Sequence, residues 1–191
     1  MNTRSRGGDI KLWLAVTAGM AFAGALAGAV WAWIAPPARS VAGVSKSGKR
    51  VHDYVGNEAD HFFDAAVMMV GLLLCLAIVS AVLVWQFRRH RGPAMVVALT
   101  VGGMAAAGAA AGVGAGLVRL RYGHFDIGAV PADHKVHYFI EAPAVFFGHN
   151  PLQILTVLLL PAAVAAFTYA VMAAGSAHDN LSAEPTQLAS A

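Results

Sequence analysis

The sequence has few charges, and its longest stretches have none. Only 12% of the 191 residues are Asp, Glu, Lys or Arg, whereas about 25% is usual in a soluble domain. Four long apolar runs contain no Asp, Glu, Lys, Arg or His at all. Proton and ion pathways through a membrane usually need ionisable groups inside it. The absence therefore disfavours a pump or an ion-coupled transporter acting alone.

The sequence also lacks the residue patterns of common enzymes. Its one cysteine, Cys75, stands in an apolar run, so no disulfide can form within the chain. There is no GxSxG elbow, no phosphate-binding GxxxxGK(S/T) loop and no HExxH zinc motif. No histidine lies in the middle of an apolar run, which leaves haem binding between facing helices unsupported. We therefore expect a protein that is not an enzyme and has no cofactor.

What the sequence does have is apolar residues, which make up 58% of the chain and are gathered into four runs. A helix needs about 20 predominantly apolar residues to cross the roughly 30 Å of hydrocarbon in a bilayer. We expect an all-α fold, an integral membrane four-helix bundle over residues 12–174. The predicted spans are 12–34, 65–87, 94–118 and 151–174. Residues 1–11 and 175–191 are expected to be cytoplasmic tails, the second of them flexible.

The basic residues indicate how the chain is oriented. Arg88, Arg89 and Arg91 lie in a short turn between the second and third runs. Short loops rich in Lys and Arg stay in the cytoplasm. We therefore expect a protein of the bacterial plasma membrane, with this turn and both termini in the cytoplasm and both long connections outside the cell. The net charge of +3 comes from residues that flank apolar runs, so we expect no nucleic-acid partner.

Small residues in the third run indicate close helix packing. Gly108, Gly112 and Gly116 recur every four residues and share one helical face, and Gly24 with Gly28 gives the first run a matching face. Faces without side chains let helices approach closely in lipid, where no hydrophobic effect draws them together. We expect the first and third spans to touch along these strips, or one strip to form a homodimer.

Six of the eight histidines fall in the two long connections. His134, His137 and Glu141 have the spacing i, i+3, i+7 and would share a helical face. Imidazole and carboxylate groups are ordinary ligands of zinc and other divalent metals. The pattern is typical of solvated polar groups in a loop, and an external metal or proton-sensing site is the alternative hypothesis. Without a recognised ligand framework, no metal site is assigned.

Several short motifs occur in an order that resembles a known family. They are the entry to the second span at residues 61–65, the turn at residues 89–93, the small-residue third span, the positions Pro161, Ala166 and Tyr169, and the stretch at residues 179–181. Over roughly residues 60–181 the chain resembles a family of small actinobacterial membrane proteins known only as a domain of unknown function. Family members often have two acids before Leu181, where this chain has Asn180 in the second place. The resemblance implies four helices in the plasma membrane of a mycobacterium-like cell, and no activity.

These observations favour a non-catalytic accessory or scaffolding protein that binds a larger membrane partner through small-residue faces. One alternative is a small oligomeric transporter or lipid-handling protein, with a path lined by the glycine face. Another is an envelope sensor that uses the external histidines. The expected partners are membrane lipids and either another membrane protein or a second copy of the chain.

Overall fold

The computed structural model describes residues 3–45, 47–88, 91–123, 126–131 and 135–176. The described chain is mostly helical. Its four long helices are α1 (Thr3–Ile34), α2 (Asp60–Trp85), α3 (Pro93–Tyr122) and α4 (Pro151–Ala174). Each is long and apolar enough to cross a bilayer, judged by length and composition.

The helices extend beyond some of the predicted spans because polar residues continue them. α1 begins nine residues before Leu12, and α3 continues four residues past Val118, through Arg119 and Arg121. α3 and α4 each begin with a proline, at a position where its missing amide hydrogen costs little free energy. Before α4, the Asn150 side-chain oxygen accepts a hydrogen bond from the Leu152 amide at 3.0 Å, which caps the helix.

The expected all-α fold is confirmed only in part: the described chain is mostly helical, but both long connections contribute strands to a small sheet. The strands are β1 (Ala38–Val44), β2 (Arg50–Tyr54) and β3 (His137–Glu141). The sheet is antiparallel in the order β2-β1-β3, so its central strand pairs with segments from two different connections. Gly48 has φ of 76° in the turn between β1 and β2, a conformation that glycine adopts without steric cost.

The chain divides into two compact units, each containing part of every long helix. The first consists of Met1–Gly24, Leu73–Ala109 and Thr156–Ala191, and its core is built from α2, α3, α4 and Met20 of α1. Tyr169 is fully buried there, with its ring edge-on to Trp85 at 5.1 Å between centroids. Its hydroxyl accepts a hydrogen bond from the Gly92 amide at 3.1 Å, which ties α4 to the turn before α3.

The second unit consists of Ala25–Leu72 and Ala110–Leu155 and contains the sheet. Trp31 of α1 is its largest fully buried side chain. The indole Nε1 donates a hydrogen bond of 2.7 Å to the carbonyl oxygen of Ala65 in α2. A Cβ added at Gly114 of α3 would stand 2.9 Å from the Trp31 ring, so glycine there makes room for the indole.

The contact between α1 and α3 differs from the one expected, in which glycines of both helices would face each other. In the first unit Gly24 faces the backbone of Ala106, and in the second Gly28 faces the backbone of Ala110. A Cβ added at Gly108, Gly112 or Gly116 would instead meet nothing within 4 Å. Two residues correspond to about 200° around a helix, so these glycines lie on nearly the opposite side of α3 from the two alanines. Gly24 and Gly28 therefore lie against the α3 backbone, whereas the α3 glycines take no part in this contact.

Candidate functional site: a polar cluster on one face of the sheet

One face of the sheet carries most of the ionisable side chains of its three strands. Side chains alternate along a strand, so Ala38, Ser40 and Ala42 of β1 point to the same face. All three are buried, and we call this the inner face. The strand register adds His52 and Tyr54 from β2, and His137, Phe139 and Glu141 from β3. The opposite, outer face includes the exposed Asp53 and Tyr138.

A histidine and a glutamate join the two outer strands across the central one. The Nε2 of His52 lies 2.6 Å from Oε1 of Glu141, and about four fifths of each side chain is shielded from solvent. Strands two places apart are roughly 10 Å from each other. The side chains can meet because β1 presents only small residues beneath them, Ala38, Ser40 and Ala42. This contact, which we call the His52–Glu141 clamp, links the middle of β2 to the end of β3 across β1.

Tyr54 packs beside this pair. Its ring is edge-on to His52 at 5.0 Å and to Phe62 of α2 at 5.5 Å between centroids. Partial burial, and then the nearby charge of Glu141, raise the pKa of the Tyr54 phenol because both disfavour the phenolate. The phenol therefore remains a neutral hydroxyl beside the histidine–glutamate pair across the physiological pH range.

Ser40 is the third polar group of the inner face. It is fully buried, and its hydroxyl has no hydrogen-bond partner among the described residues. A buried polar group without a partner costs free energy, of the order of 1–3 kcal/mol. The register places it beside Tyr54, on the same face as the histidine–glutamate pair. We call Ser40, His52, Tyr54 and Glu141 the inner-face cluster; it holds an imidazole and a carboxylate in direct contact.

A second histidine–glutamate contact stands where α2 begins. The Nδ1 of His61 lies 2.9 Å from the carbonyl oxygen of Pro37 and 3.0 Å from Oε2 of Glu58. A carbonyl oxygen can only accept, so Nδ1 carries the hydrogen and donates it. Glu58 also accepts from the backbone amide of Arg39 at 3.1 Å. This contact fixes the sheet's first strand to the start of α2.

The predicted histidine–glutamate face is differently arranged. His134 lies outside the described residues, whereas His137 and Glu141 lie on β3, so they do not share a helical face. They do share the inner face, because four residues along a strand return to the same side. Their backbones are about 13 Å apart along the strand. Among the described residues, no three His, Cys, Asp or Glu side chains are placed to hold a metal ion.

The arginines predicted to set the topology lie around the turn between α2 and α3. Arg88 is exposed, and Arg89 lies outside the described residues. Arg91 donates from Nε to the Trp85 carbonyl oxygen at 2.9 Å, and its guanidinium stands 4.0 Å from the centre of the indole. Besides carrying charge, Arg91 therefore covers the last carbonyl groups of α2, where a cation is favourable.

Sequence reasoning missed Ser40, Tyr54 and the pairing of His52 with Glu141. One signal was present: the turn residues around Gly48 lie between two segments that contain β-branched and aromatic residues, a pattern typical of a hairpin. That signal would have found β1 and β2. The third strand comes from a distant part of the chain, and nothing local indicates that it pairs with β1.

These features define a mostly helical protein with four helices able, by length and composition, to span a bilayer, together with a three-stranded sheet that carries a polar cluster. The chain belongs to the family described as "Protein of unknown function (DUF2567)", whose model matches residues 20–183. The match confirms the resemblance to an actinobacterial family of unknown function.

Three mycobacterial relatives are similar over most of their length. A protein of Mycobacterium leprae (strain TN), described as uncharacterized, is 52% identical over 168 residues, which is 87% of this chain and 85% of the relative. Uncharacterized proteins of Mycobacterium bovis (strain ATCC BAA-935 / AF2122/97) and Mycobacterium tuberculosis (strain ATCC 25618 / H37Rv) are each 49% identical over 170 residues, 87% of this chain and 88% of the relative. No solved structure matches the chain.

Proposed function

We propose that the chain is a multi-pass protein of the bacterial plasma membrane and acts as a non-catalytic accessory or scaffolding subunit. Membrane insertion is supported by the outward faces of the helices. Large apolar side chains there are mostly exposed, including Phe22 (68%), Leu83 (60%) and Phe167 (70%). Water would penalise so much exposed apolar surface, whereas lipid would cover it.

The proposed orientation has both termini in the cytoplasm and the sheet outside. The turn with Arg88 and Arg91 follows directly on α2, and short basic loops stay inside. The sheet segments carry charges of both signs, including Arg39, Arg50, Asp53 and Glu141. Because they have no large excess of basic residues, they do not strongly favour the cytoplasmic side.

The observation that carries the accessory role is the outward glycine strip of α3. Gly108, Gly112 and Gly116 are exposed, and no atom of the described chain stands within 4 Å of where their side chains would begin. Within the chain, the strip therefore has no packing role that requires glycine. A helix without side chains lets another helix approach closely in lipid, gaining van der Waals contact. We therefore infer that this strip binds a membrane helix of another protein or of a second copy of the chain.

Replacing Gly112 with leucine tests this role without disturbing the fold. A leucine side chain at position 112 would extend into open space, so the variant should unfold at the wild-type temperature in detergent. It should weaken association about tenfold or more, which corresponds to about 1.4 kcal/mol. Light scattering measures self-association, and quantitative mass spectrometry of co-purifying membrane proteins measures binding to another partner.

Gly71→Leu is the matched control, since Gly71 also faces open space but lies on α2, away from the strip. The control should retain the wild-type assembly. Equal assembly mass and an equal set of co-purifying proteins in both variants would contradict the accessory role of the strip.

The inner-face cluster favours a second function, that of an envelope sensor that uses external histidines. His52 and Glu141 join two strands from separate connections, so a change at the histidine bears directly on sheet pairing. Loss of their contact should loosen the pairing of β2 and β3 with β1. Other charged or titratable groups on or beside this face are Arg50, Tyr54, Glu58, His61 and His137.

Glu141→Gln tests the clamp, because the amide keeps the shape but cannot form the ion pair. Hydrogen exchange of β2 and β3 amides, corrected for intrinsic rates, should be faster in the variant than in the wild type by an amount equivalent to about 1–2 kcal/mol. Asp53→Asn makes the same chemical change on the exposed outer face and should exchange at the wild-type rate. Equal exchange in Glu141→Gln and the wild type would exclude the sensor function.

A further inference from the structure

A groove in the second unit lies between α1 and α3. It has a volume of about 380 Å³ and is lined by Ala29, Ala32, Trp33, Leu117, Leu120 and Arg121. The alanines keep it open on the α1 side, and leucine side chains form the α3 wall. Trp33 and Leu120 are 82% and 86% exposed, so both present apolar surface to whatever surrounds the protein.

A cationic group lines the groove at the end of α3. Arg121 is exposed there, whereas Arg119, two residues earlier, lies on nearly the opposite side of the helix. In the part of the chain that the structure describes, the Arg121 guanidinium forms no ion pair with a carboxylate. The Arg121 guanidinium stands 5.3 Å from the centre of the Tyr122 ring, which leaves its hydrogen-bond donors available.

An unpaired guanidinium beside an apolar groove matches the two ends of a phospholipid. A guanidinium can bind a phosphate through two parallel hydrogen bonds. The residues are also at a suitable depth for this pairing, because α3 passes from an uncharged run into Arg119 and Arg121 at this end. Tryptophan is favoured where hydrocarbon meets headgroups, as Trp33 would be here.

We propose that this groove binds one anionic phospholipid. An acyl chain lies against Ala29, Leu117 and Trp33, and the phosphate pairs with Arg121. The site rests on the membrane location proposed above and shares no residue with the glycine strip or the inner-face cluster. An anionic headgroup is favoured because Arg121 has no acidic partner in the described chain.

Native mass spectrometry of detergent-purified protein tests the site, with phosphatidylglycerol and phosphatidylcholine as probes. The wild type should retain phosphatidylglycerol several-fold more than phosphatidylcholine. Arg121→Gln should bring the retention of both lipids to the same level. Arg50→Gln, which removes an exposed arginine from β2 in the same unit, should retain the wild-type preference. If Arg121→Gln loses phosphatidylglycerol but unfolds at the wild-type temperature, Arg121 acts in lipid binding and not in stabilising the end of α3.

A second variant tests the acyl-chain part of the site. Ala29→Leu fills the groove on the α1 side and should lower phosphatidylglycerol retention several-fold while Arg121 is intact. Millimolar inorganic phosphate should not displace the lipid; displacement would show a simple anion site and overturn the proposal. Equal retention of both lipids by the wild type, or unchanged retention in Arg121→Gln, would also overturn it. Release of the chain from membranes by alkaline carbonate without detergent would instead contradict the membrane location itself.

Discussion

Gly24→Leu is expected to prevent stable folding of the first unit. A Cβ at this position would stand 2.6 Å from the Ala106 Cα and closer still to its carbonyl oxygen. Real Cβ atoms do not occur at such distances, and the obstructing atoms are helix backbone, which cannot rotate away as a side chain can. Overpacking of a core commonly costs 1–3 kcal/mol. Since α1 or α3 would have to move as a whole, we expect a loss of more than about 3 kcal/mol.

The matched control is Gly19→Leu, five residues earlier on the same helix. An added Cβ there meets nothing within 4 Å. Leucine also favours helix by up to about 1 kcal/mol relative to glycine, so this variant should be as stable as the wild type or slightly more stable. Thermal unfolding in detergent, followed by size-exclusion chromatography, measures the difference. If Gly24→Leu and Gly19→Leu purified in equal yield and unfolded at the same temperature, the close α1–α3 contact described here would be incorrect.

The two strips of glycine show what a repeat in the sequence can and cannot predict. The spacing of Gly24 and Gly28 predicted a small face on α1, and in the structure the α3 backbone stands opposite both glycines. The same spacing in Gly108, Gly112 and Gly116 indicated a small face but not the direction in which it points. Close approach needs a missing side chain on one helix only. The partner can then offer alanine, as Ala106 and Ala110 do. Because α3 has small residues around most of its circumference, several of its faces could allow the close approach of α1 equally well.

The sheet escaped prediction for a different physical reason. A transmembrane helix satisfies its own backbone hydrogen bonds, so length and hydropathy alone indicate it. A strand depends on its partner, and β1 pairs with β3 across about 90 intervening residues. Local composition identified both long connections as polar and aromatic but carried no information about that pairing.

The inner-face cluster depends on the same long-range pairing. His52 and Glu141 are 89 residues apart in sequence, and only the register of three strands brings them within 2.6 Å. Their individual residue types indicated proton or metal chemistry. The predicted grouping of Glu141 with His134 and His137 assumed a helix, whereas the alternation of a strand selects different neighbours. The sequence therefore identified one member of the site and not its partners.

The orientation of the chain should give an all-or-none result in cysteine labelling. Cys75 is the single native cysteine, so Cys75→Ala provides a background without thiols. Ser47→Cys then places one exposed thiol in the turn between β1 and β2, and Gln86→Cys places one just after α2. α2 has 26 residues and a length of about 39 Å, enough to cross the hydrocarbon between the two positions.

In intact cells, a membrane-impermeant maleimide should label Ser47→Cys fully and Gln86→Cys not at all, because a maleimide needs a water-exposed thiolate. Permeabilising the cells should expose Gln86→Cys to the same reagent. The native Cys75, within the apolar part of α2, should stay unlabelled in both conditions, since a charged reagent does not enter hydrocarbon. The reverse pattern would place the arginine-rich turn outside, and the His52–Glu141 clamp would then face the cytoplasm. Labelling of both positions in intact cells would mean that α2 does not cross the membrane, and an envelope-facing role for the sheet could no longer be maintained.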